Sequence, residues 1–376
     1  MPKQNFMRKI LVVFGTRPEA IKMAPLVKEF QKKPNQFSIK LCVTAQHREM
    51  LDQVLEFFEL KPDYDLNLMK PNQNLFQLTA DVITGMKPVL EDFRPDYVFV
   101  HGDTTTSTAA ALAAFYADVK VCHIEAGLRT FDKKSPFPEE MNRQITGRLA
   151  DFHFAPTSVS CLNLLREGVD EKSIHIVGNT VIDALLWAKE KLKTYQDEEI
   201  SSLSKIINGN KKLILVTGHR RENFGEGFLN ICKAIRHIAK RDDVQVIYPV
   251  HLNPQVQKPV YDLLSNQDNI KLIAPLSYPA FVWLMDKSYF ILTDSGGVQE
   301  EAPSLGKPVL VMRDNTERPE SVDAGTVKLV GTNRKVIFEH LNLLLDDALV
   351  YQRMSSSTNP YGDGKSCEKI INLFKL

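Results

Sequence analysis

The chain has 376 residues, with 47 basic and 46 acidic side chains and a formal net charge of +1. That length suffices for two domains with cores of their own, and the balance of charge excludes a wholesale polyanion-binding surface and with it nucleic acid as a partner. Hydrophobic residues make up 43% and charged residues 25%, a globular composition; no run approaches the roughly 18 apolar residues of a membrane helix, and Ile10–Phe14 is too short for a signal-peptide core.

Short apolar strands alternate with longer helical patterns. Strands are predicted at 9–14, 39–44, 97–101, 119–124, 152–155 and 174–177, then at 212–217, 244–249, 270–273, 289–292 and 308–312. Helices are predicted at 20–32, 48–58, 105–116, 158–167, 228–240 and 279–285. Alternation with β-branched runs argues for parallel sheets covered on both faces. The pattern pauses over 180–210, where a helix at 183–193 leads into a charged, Ser-rich stretch. The fold class expected is therefore α/β: two doubly wound domains, 1–178 and 179–363, facing across a cleft, with a hinge at 178–182 and a closing helix at 364–376 that crosses back onto the first domain. Cys42, Cys122, Cys161, Cys232 and Cys367 are odd in number and never in C-x-x-C spacing, which predicts buried free thiols in a reducing cytoplasm rather than zinc ligands or disulfides.

In folds of this kind ligands bind at the carboxyl ends of the strands, and the polar residues lie there. The first strand ends in Gly15-Thr16-Arg17-Pro18; Arg17 and Lys22 are either a phosphate-binding pair or a solvated surface pair. His101-Gly102-Asp103 follows the next strand of interest, with Asp103 either a helix N-cap or an acid–base and hydroxyl-binding group. Glu125 ends the strand after that, as half of an ion pair with Arg129 or as a working carboxylate. Pro136-Phe137-Pro138-Glu139-Glu140 begins a helix whose first-turn acids are by themselves a weak signal.

The second half carries Gly218-His219-Arg220-Arg221 after one strand, His251 after another, and Thr293-Asp294-Ser295-Gly296-Gly297 at a strand-to-helix turn. Small residues there let backbone N–H groups converge on an anion, and Glu301, one turn on, is within reach of a ribose beside a bound pyrophosphate. A nucleotide diphosphate site is predicted; an N-capped helix with a glycine turn is the plainer account. Gly225-Glu226-Gly227-Phe228 is half a dinucleotide fingerprint, so nicotinamide binding is not supported. Asp63-Tyr64-Asp65 lacks the preceding strand of a metal-binding D-x-D, and no phosphate-binding P-loop, Cys/His metal cluster or serine-hydrolase elbow appears.

Together FGTRPEAIKMAP (14–25), TAQHREMLDQVL (44–55), VHGDTTT (100–106), HIEAGLRT (123–130), SPFPEEMNRQ (135–144), TGHRREN (217–223), PVHLNP (249–254) and LTDSGGVQEEAPSLGKPVLVMRDNTERPE (292–320) resemble the bacterial non-hydrolysing UDP-N-acetylglucosamine (UDP-GlcNAc) 2-epimerases. The resemblance implies two Rossmann-like domains of the glycosyltransferase-B type, a homodimer, and reversible conversion of UDP-GlcNAc to UDP-ManNAc without metal or nicotinamide. It implies elimination and re-addition of UDP, with Asp103, Glu125, Glu139 and His219 as catalytic residues. Arg17, Lys22, Arg143, His251, Leu276, Phe281, Ser295, Gly296, Gly297, Glu301 and Arg318 would hold the substrate. Gln46, His47, Glu139 and Arg220 are the candidates for a pocket taking a second, activating UDP-GlcNAc. Leu276 stands where a Gln is expected to meet the uracil through its backbone, and Asn72 where some relatives carry Arg near the regulatory site. The product would feed a bacterial surface polysaccharide. A hydrolysing relative, a glycosyltransferase of the same fold and a non-enzymatic sugar-nucleotide sensor are the alternatives.

Overall fold

The computed structural model describes residues 7–44, 48–70 and 73–375. They form two compact units, one running to Ala184 and taking up the chain again from Tyr361, the other holding Leu185–Pro360. The first division falls at Ala184 rather than 178, because the opening turn of helix Thr180–Lys191 is anchored in the first unit: Val181, Ile182 and Ala184 are buried, and Asp183 accepts the N–H groups of Ser366 (3.2 Å) and Cys367 (2.8 Å).

The first unit is built on seven strands: β1 (Arg8–Phe14), β2 (Phe37–Val43), β3 (Tyr64–Asp65), β4 (Tyr97–His101), β5 (Lys120–Ile124), β6 (Phe152–Ala155) and β7 (Ile174–Ile176). All pair in parallel, in the order β3-β2-β1-β4-β5-β6-β7. Ile10 to Phe14 have no exposed surface, as expected of a central strand with helices on both faces. The second unit repeats the plan with β8 (Lys212–Thr217), β9 (Val244–Pro249), β10 (Ile270–Ile273), β11 (Phe290–Thr293), β12 (Val309–Val311) and β13 (Val327–Leu329), in the order β10-β9-β8-β11-β12-β13. Each sheet therefore reverses its winding once, between β1 and β4 and between β8 and β11. Such switch points are where doubly wound sheets bind ligands.

The differences from expectation have local causes. β3 and β13 have two and three residues, one beginning two residues after Pro62 and the other split by Lys328, too short to show a strand pattern. Helix Leu75–Phe93 hides behind its internal Pro88, yet buries Leu78, Val82, Met86, Val89, Leu90 and Phe93 against the Ala-rich helix Thr105–Tyr116. Part of the supposed Ser-rich pause is helix Glu198–Ile206, whose N-cap Asp197 accepts the Ile200 N–H at 2.9 Å. Helices Pro254–Leu264, Arg334–Asp346 and Ala348–Ser355 were likewise not among those predicted. The closing helix, Ser366–Asn372, packs on helix Arg17–Gln31 in the first unit. Phe374 follows it, edge-on to Tyr97 (4.9 Å) and Phe99 (5.4 Å); burying such a ring is worth about 1.5–3 kcal/mol. Among the described residues no helix is long and apolar enough to cross a membrane, and four of the five free cysteines are buried.

Candidate active site

In the first unit β1 stops at Gly15, where a Cβ would lie 2.0 Å from Thr44 Oγ1 and 2.6 Å from Thr106 Oγ1; only glycine fits. Glu19, buried one turn into the following helix, completes a capping box: its carboxylate accepts the N–H groups of Gly15 (3.0 Å) and Thr16 (2.8 Å) and the hydroxyl of Thr104 (2.6 Å). Burial raises its carboxyl above the ordinary value, against the pull of those bonds.

β4 delivers His101, left-handed Gly102 (φ 63°) and Asp103 to the same edge. His123 of β5 lies with Nε2 2.7 Å from the Gly102 carbonyl; a carbonyl only accepts, so Nε2 carries the proton. Burial depresses the His123 imidazolium to about 3, so the ring is neutral. Asp103 is held by the guanidinium of Arg143, and Asn142 donates to its main-chain carbonyl at 2.9 Å. Its carboxyl lies above the ordinary value: burial raises it most, Arg143 opposes, and the charge of Glu125 raises it further.

Glu125 follows β5 with φ +60°, a conformation that costs a residue other than glycine about 1–2 kcal/mol. Its Oε2 accepts from the Lys22 ammonium and from Asn179 Nδ2 (2.9 Å), and His101 Nε2 stands 3.8 Å away. Burial lowers His101 to about 4, so this neighbour is neutral too. The ion pair with Arg129 left open by the sequence does not form: Arg129 has a fully buried side chain and forks onto Glu167 at 2.7 and 2.8 Å.

Helix Glu139–Leu149 opens with two acids in different situations. Glu140 is fully buried and accepts from Thr130 N–H (3.0 Å), Phe131 N–H (3.1 Å), Gln144 (2.8 Å) and Arg143 (3.3 Å). Burial pulls its carboxyl upward, but those bonds outweigh it and hold the group low. Glu139 is half-buried, and its buried Oε2 has no hydrogen-bond partner among the described residues. A buried carboxylate oxygen left open is costly, so the site either uses it or hydrates it.

In the second unit the switch point gathers main-chain donors instead. Asp294, fully buried after β11, accepts the N–H groups of His219 (2.9 Å) and Arg220 (2.8 Å) and Nδ2 of Asn223 (3.3 Å) with one oxygen. The other oxygen lies 3.7 Å from His219 Nδ1. The His219 ring stacks on His251 with centroids 5.1 Å apart, and its basicity is lowered, chiefly by burial. Ser295 precedes helix Gly296–Glu301, six residues that tighten into a 3₁₀ turn, Ala302–Leu305. The Arg318 guanidinium covers Gly296, where a Cβ would sit 3.2 Å from Cζ; its Nε donates to Glu300 (2.8 Å) and Nη1 to Glu317 (3.0 Å). Glu301 approaches Gly297, its Oε1 3.5 Å from where a Cβ would stand.

Of the residues named from sequence, Lys22 with Glu125 and Arg143 with Asp103 thus form two ion pairs at the ends of β5 and β4, and Glu139 heads the helix that carries Arg143. Arg17 is the first residue of its helix. Leu276 is half-buried between β10 and helix Tyr278–Lys287, whose first turn carries Phe281. Gln46, His47 and Asn72 lie outside the described residues; Glu139 belongs to the first unit and Arg220 to the second. Three site residues were missed. Glu19 was signalled by the T-x-x-E box at 16–19, Asp294 by its place between a buried strand and a glycine turn, and Asn179 by its N-cap position alone. Among the described residues no group of three or more His, Cys, Asp or Glu is placed to hold a metal ion.

A family model for UDP-N-acetylglucosamine 2-epimerase matches residues 28–375. The UDP-N-acetylglucosamine 2-epimerase of Campylobacter jejuni is 59% identical over 372 residues, 97% of each chain, and that of Escherichia coli (strain K12) is 57% identical over 370 residues, 98% of each. The crystal structure of UDP-GlcNAc 2-epimerase from Neisseria meningitidis bound to UDP-GlcNAc matches with a TM-score of 0.88 at 54% identity, covering 97% of this chain and 99% of that one. Its twin parallel sheets are of the glycosyltransferase-B type, and the chain belongs to the UDP-N-acetylglucosamine 2-epimerase family.

Proposed function

We propose that this chain interconverts UDP-GlcNAc and UDP-ManNAc by eliminating UDP across C1–C2 and adding it back. The C2 proton of the sugar is barely acidic. As the C1–O bond opens, its electron pair leaves with UDP, C1 gains oxocarbenium character, and a carboxylate can take the C2 proton to leave a glycal. In the return step a carboxylic acid protonates C2 on the opposite face while a UDP oxygen attacks C1, so C2 is inverted and nothing is consumed.

The observation that carries this reading is the pairing at the ends of β4 and β5: Asp103 and Glu125 are close enough that the charge of one raises the carboxyl of the other, and each has its own cation. The raised carboxyl of Asp103 suits a proton donor, and Glu125 and Glu139 are the other candidate carboxylates of the exchange. In the second unit His219, Arg318 and the Ser295–Gly297 turn are assigned to the diphosphate, Glu301 to the ribose, and Leu276 and Phe281 to the uracil, with Arg17 a further phosphate ligand from the first unit. The reaction demands that both sets of groups reach one substrate. A homodimer is assigned on the family and on Phe76, Phe115 and Tyr116, which expose 89%, 59% and 70% of their surface on adjacent helices. The product is assigned to cytoplasmic synthesis of a bacterial surface polysaccharide, and a second UDP-GlcNAc to an activating role.

Proton and phosphorus NMR of purified protein with UDP-GlcNAc tests the reading. UDP-ManNAc should appear with its diphosphate intact, until both sugars reach a constant ratio. Accumulation of free ManNAc and UDP would make the chain a hydrolase, and an unchanged UDP-GlcNAc spectrum would leave it a binding protein.

A further inference from the structure

Chain passes between the two units twice, after Ala184 and before Tyr361, and both passages are tied together inside the first unit. Asn179 N–H donates to the Tyr361 carbonyl at 2.7 Å. Gly178, at φ +96°, lies so close to the returning segment that a Cβ would come 2.7 Å from Ser366 Oγ and 3.1 Å from the Tyr361 carbonyl. Asp183 completes the tie through the N–H groups of Ser366 and Cys367.

Asn179 does something that this tie does not need. Its Oδ1 accepts the Val181 N–H (3.0 Å) and its main-chain carbonyl the Ile182 N–H (3.1 Å), which opens helix Thr180–Lys191. For that task an acceptor is enough, and Asp, Ser or Thr would serve. Asparagine adds a donor, and the donor is directed at Glu125 Oε2, 2.9 Å away, in a side chain only 3% exposed.

We propose that Asn179 is a positioning residue for the acid–base carboxylate Glu125, fixing it to the tied passages so that they set its orientation and proton affinity. The inference rests on the epimerase reading. Glu125 is faced by Lys22 from helix Arg17–Gln31, by His101 at the end of β4, and by Asp103 with Arg143 behind it. Asn179 is the neutral donor in this set that also belongs to the passage. A donor to the ionised form lowers a carboxyl's proton affinity; removing it raises the affinity.

The test compares Asn179→Ser and Asn179→Asp, both of which keep the cap and the main-chain bond to Tyr361, with Asp183→Asn, which touches the tie but not Glu125. In both Asn179 variants kcat should fall about 10- to 10²-fold with KM little changed. The acid limb of the kcat profile should move to higher pH, further in Asn179→Asp, where a like charge replaces the donor. Asp183→Asn should lower the melting temperature and leave the limb in place. An unmoved limb in both Asn179 variants, or an equal movement in Asp183→Asn, would overturn the proposal. Wild-type protein that does not epimerise UDP-GlcNAc would remove the reading itself, and the inference with it.

Discussion

The two units are wound alike, and each spends one buried carboxylate on the loop after its first strand. In the first unit Glu19, from the following helix, accepts the N–H groups of Gly15 and Thr16; in the second Asp294, from the end of β11, accepts those of His219 and Arg220. The carboxylate at the end of the switch-point strand is therefore consumed by scaffolding in one unit and released from it in the other. Asp103, the counterpart of Asp294 in chain order, keeps its side chain 26% exposed against Arg143, whereas Asp294 has no exposure. One topology thus leaves its switch-point acid paired with an arginine in one unit and binds it to two main-chain N–H groups in the other, according to which acid holds the loop after the first strand.

The largest expected effect comes from emptying the cluster. Asp103→Asn or Glu125→Gln should lower kcat about 10²- to 10⁴-fold, the ordinary worth of an acid–base group. Binding of UDP, measured by calorimetry, should change little. A rise in KM alone would return these side chains to binding, and the contrast between the units would lose its chemical meaning.

Removing the scaffold acids should act on stability instead. Asp294→Ala deprives two N–H groups of their acceptor and Asn223 of one of its two, at roughly 1–3 kcal/mol for a buried group left unpaired. The thermal midpoint should drop by several degrees, and Glu19→Ala should do the same in the first unit. Midpoints within a degree of the parent would show that water replaces these carboxylates and that the loops do not depend on them.

A smaller difference separates the units in acid. His101, His123 and His153 are buried in the first unit and held neutral, with burial lowering them to about 4, 3 and 4. The unfolded chain titrates them near 6.5, so between there and the folded values it binds more protons than the native state. Stability is present above about 6.5 and drains as pH falls, by at most about 1.4 kcal/mol per pH unit for each ring. Glu19 and Asp183, whose carboxyls burial raises, work in the opposite direction. Hydrogen exchange at pH 7 and 5 should show first-unit peptides losing protection ahead of the second; the reverse order would assign acid lability to the second unit.

What was legible in the sequence was whatever the chain states locally. Apolar runs such as Leu213–Val216, followed within two residues by glycine or a charged side chain, mark strands and their polar ends, which is how Asp103, Glu125 and His219 come into view. Partner choice was not legible. Arg129 sits four residues from Glu125 and looks like its partner, but the fold brings Glu167 to it across 38 residues and gives Glu125 to Lys22, 103 residues away. Asn179 announced only a helix start; its second bond crosses 54 residues. Pro88 hid a helix because tertiary burial, not local propensity, holds it.

The proposed epimerisation needs a proton to leave and return at the carbon next to the broken bond. Initial-rate epimerisation of UDP-GlcNAc in heavy water, read by proton NMR, tests this most directly. Deuterium should enter C2 of newly formed UDP-ManNAc at once and build up in recovered UDP-GlcNAc as the reaction reverses. UDP-ManNAc that forms while its C2 hydrogen remains protium would contradict proton transfer through these carboxylates.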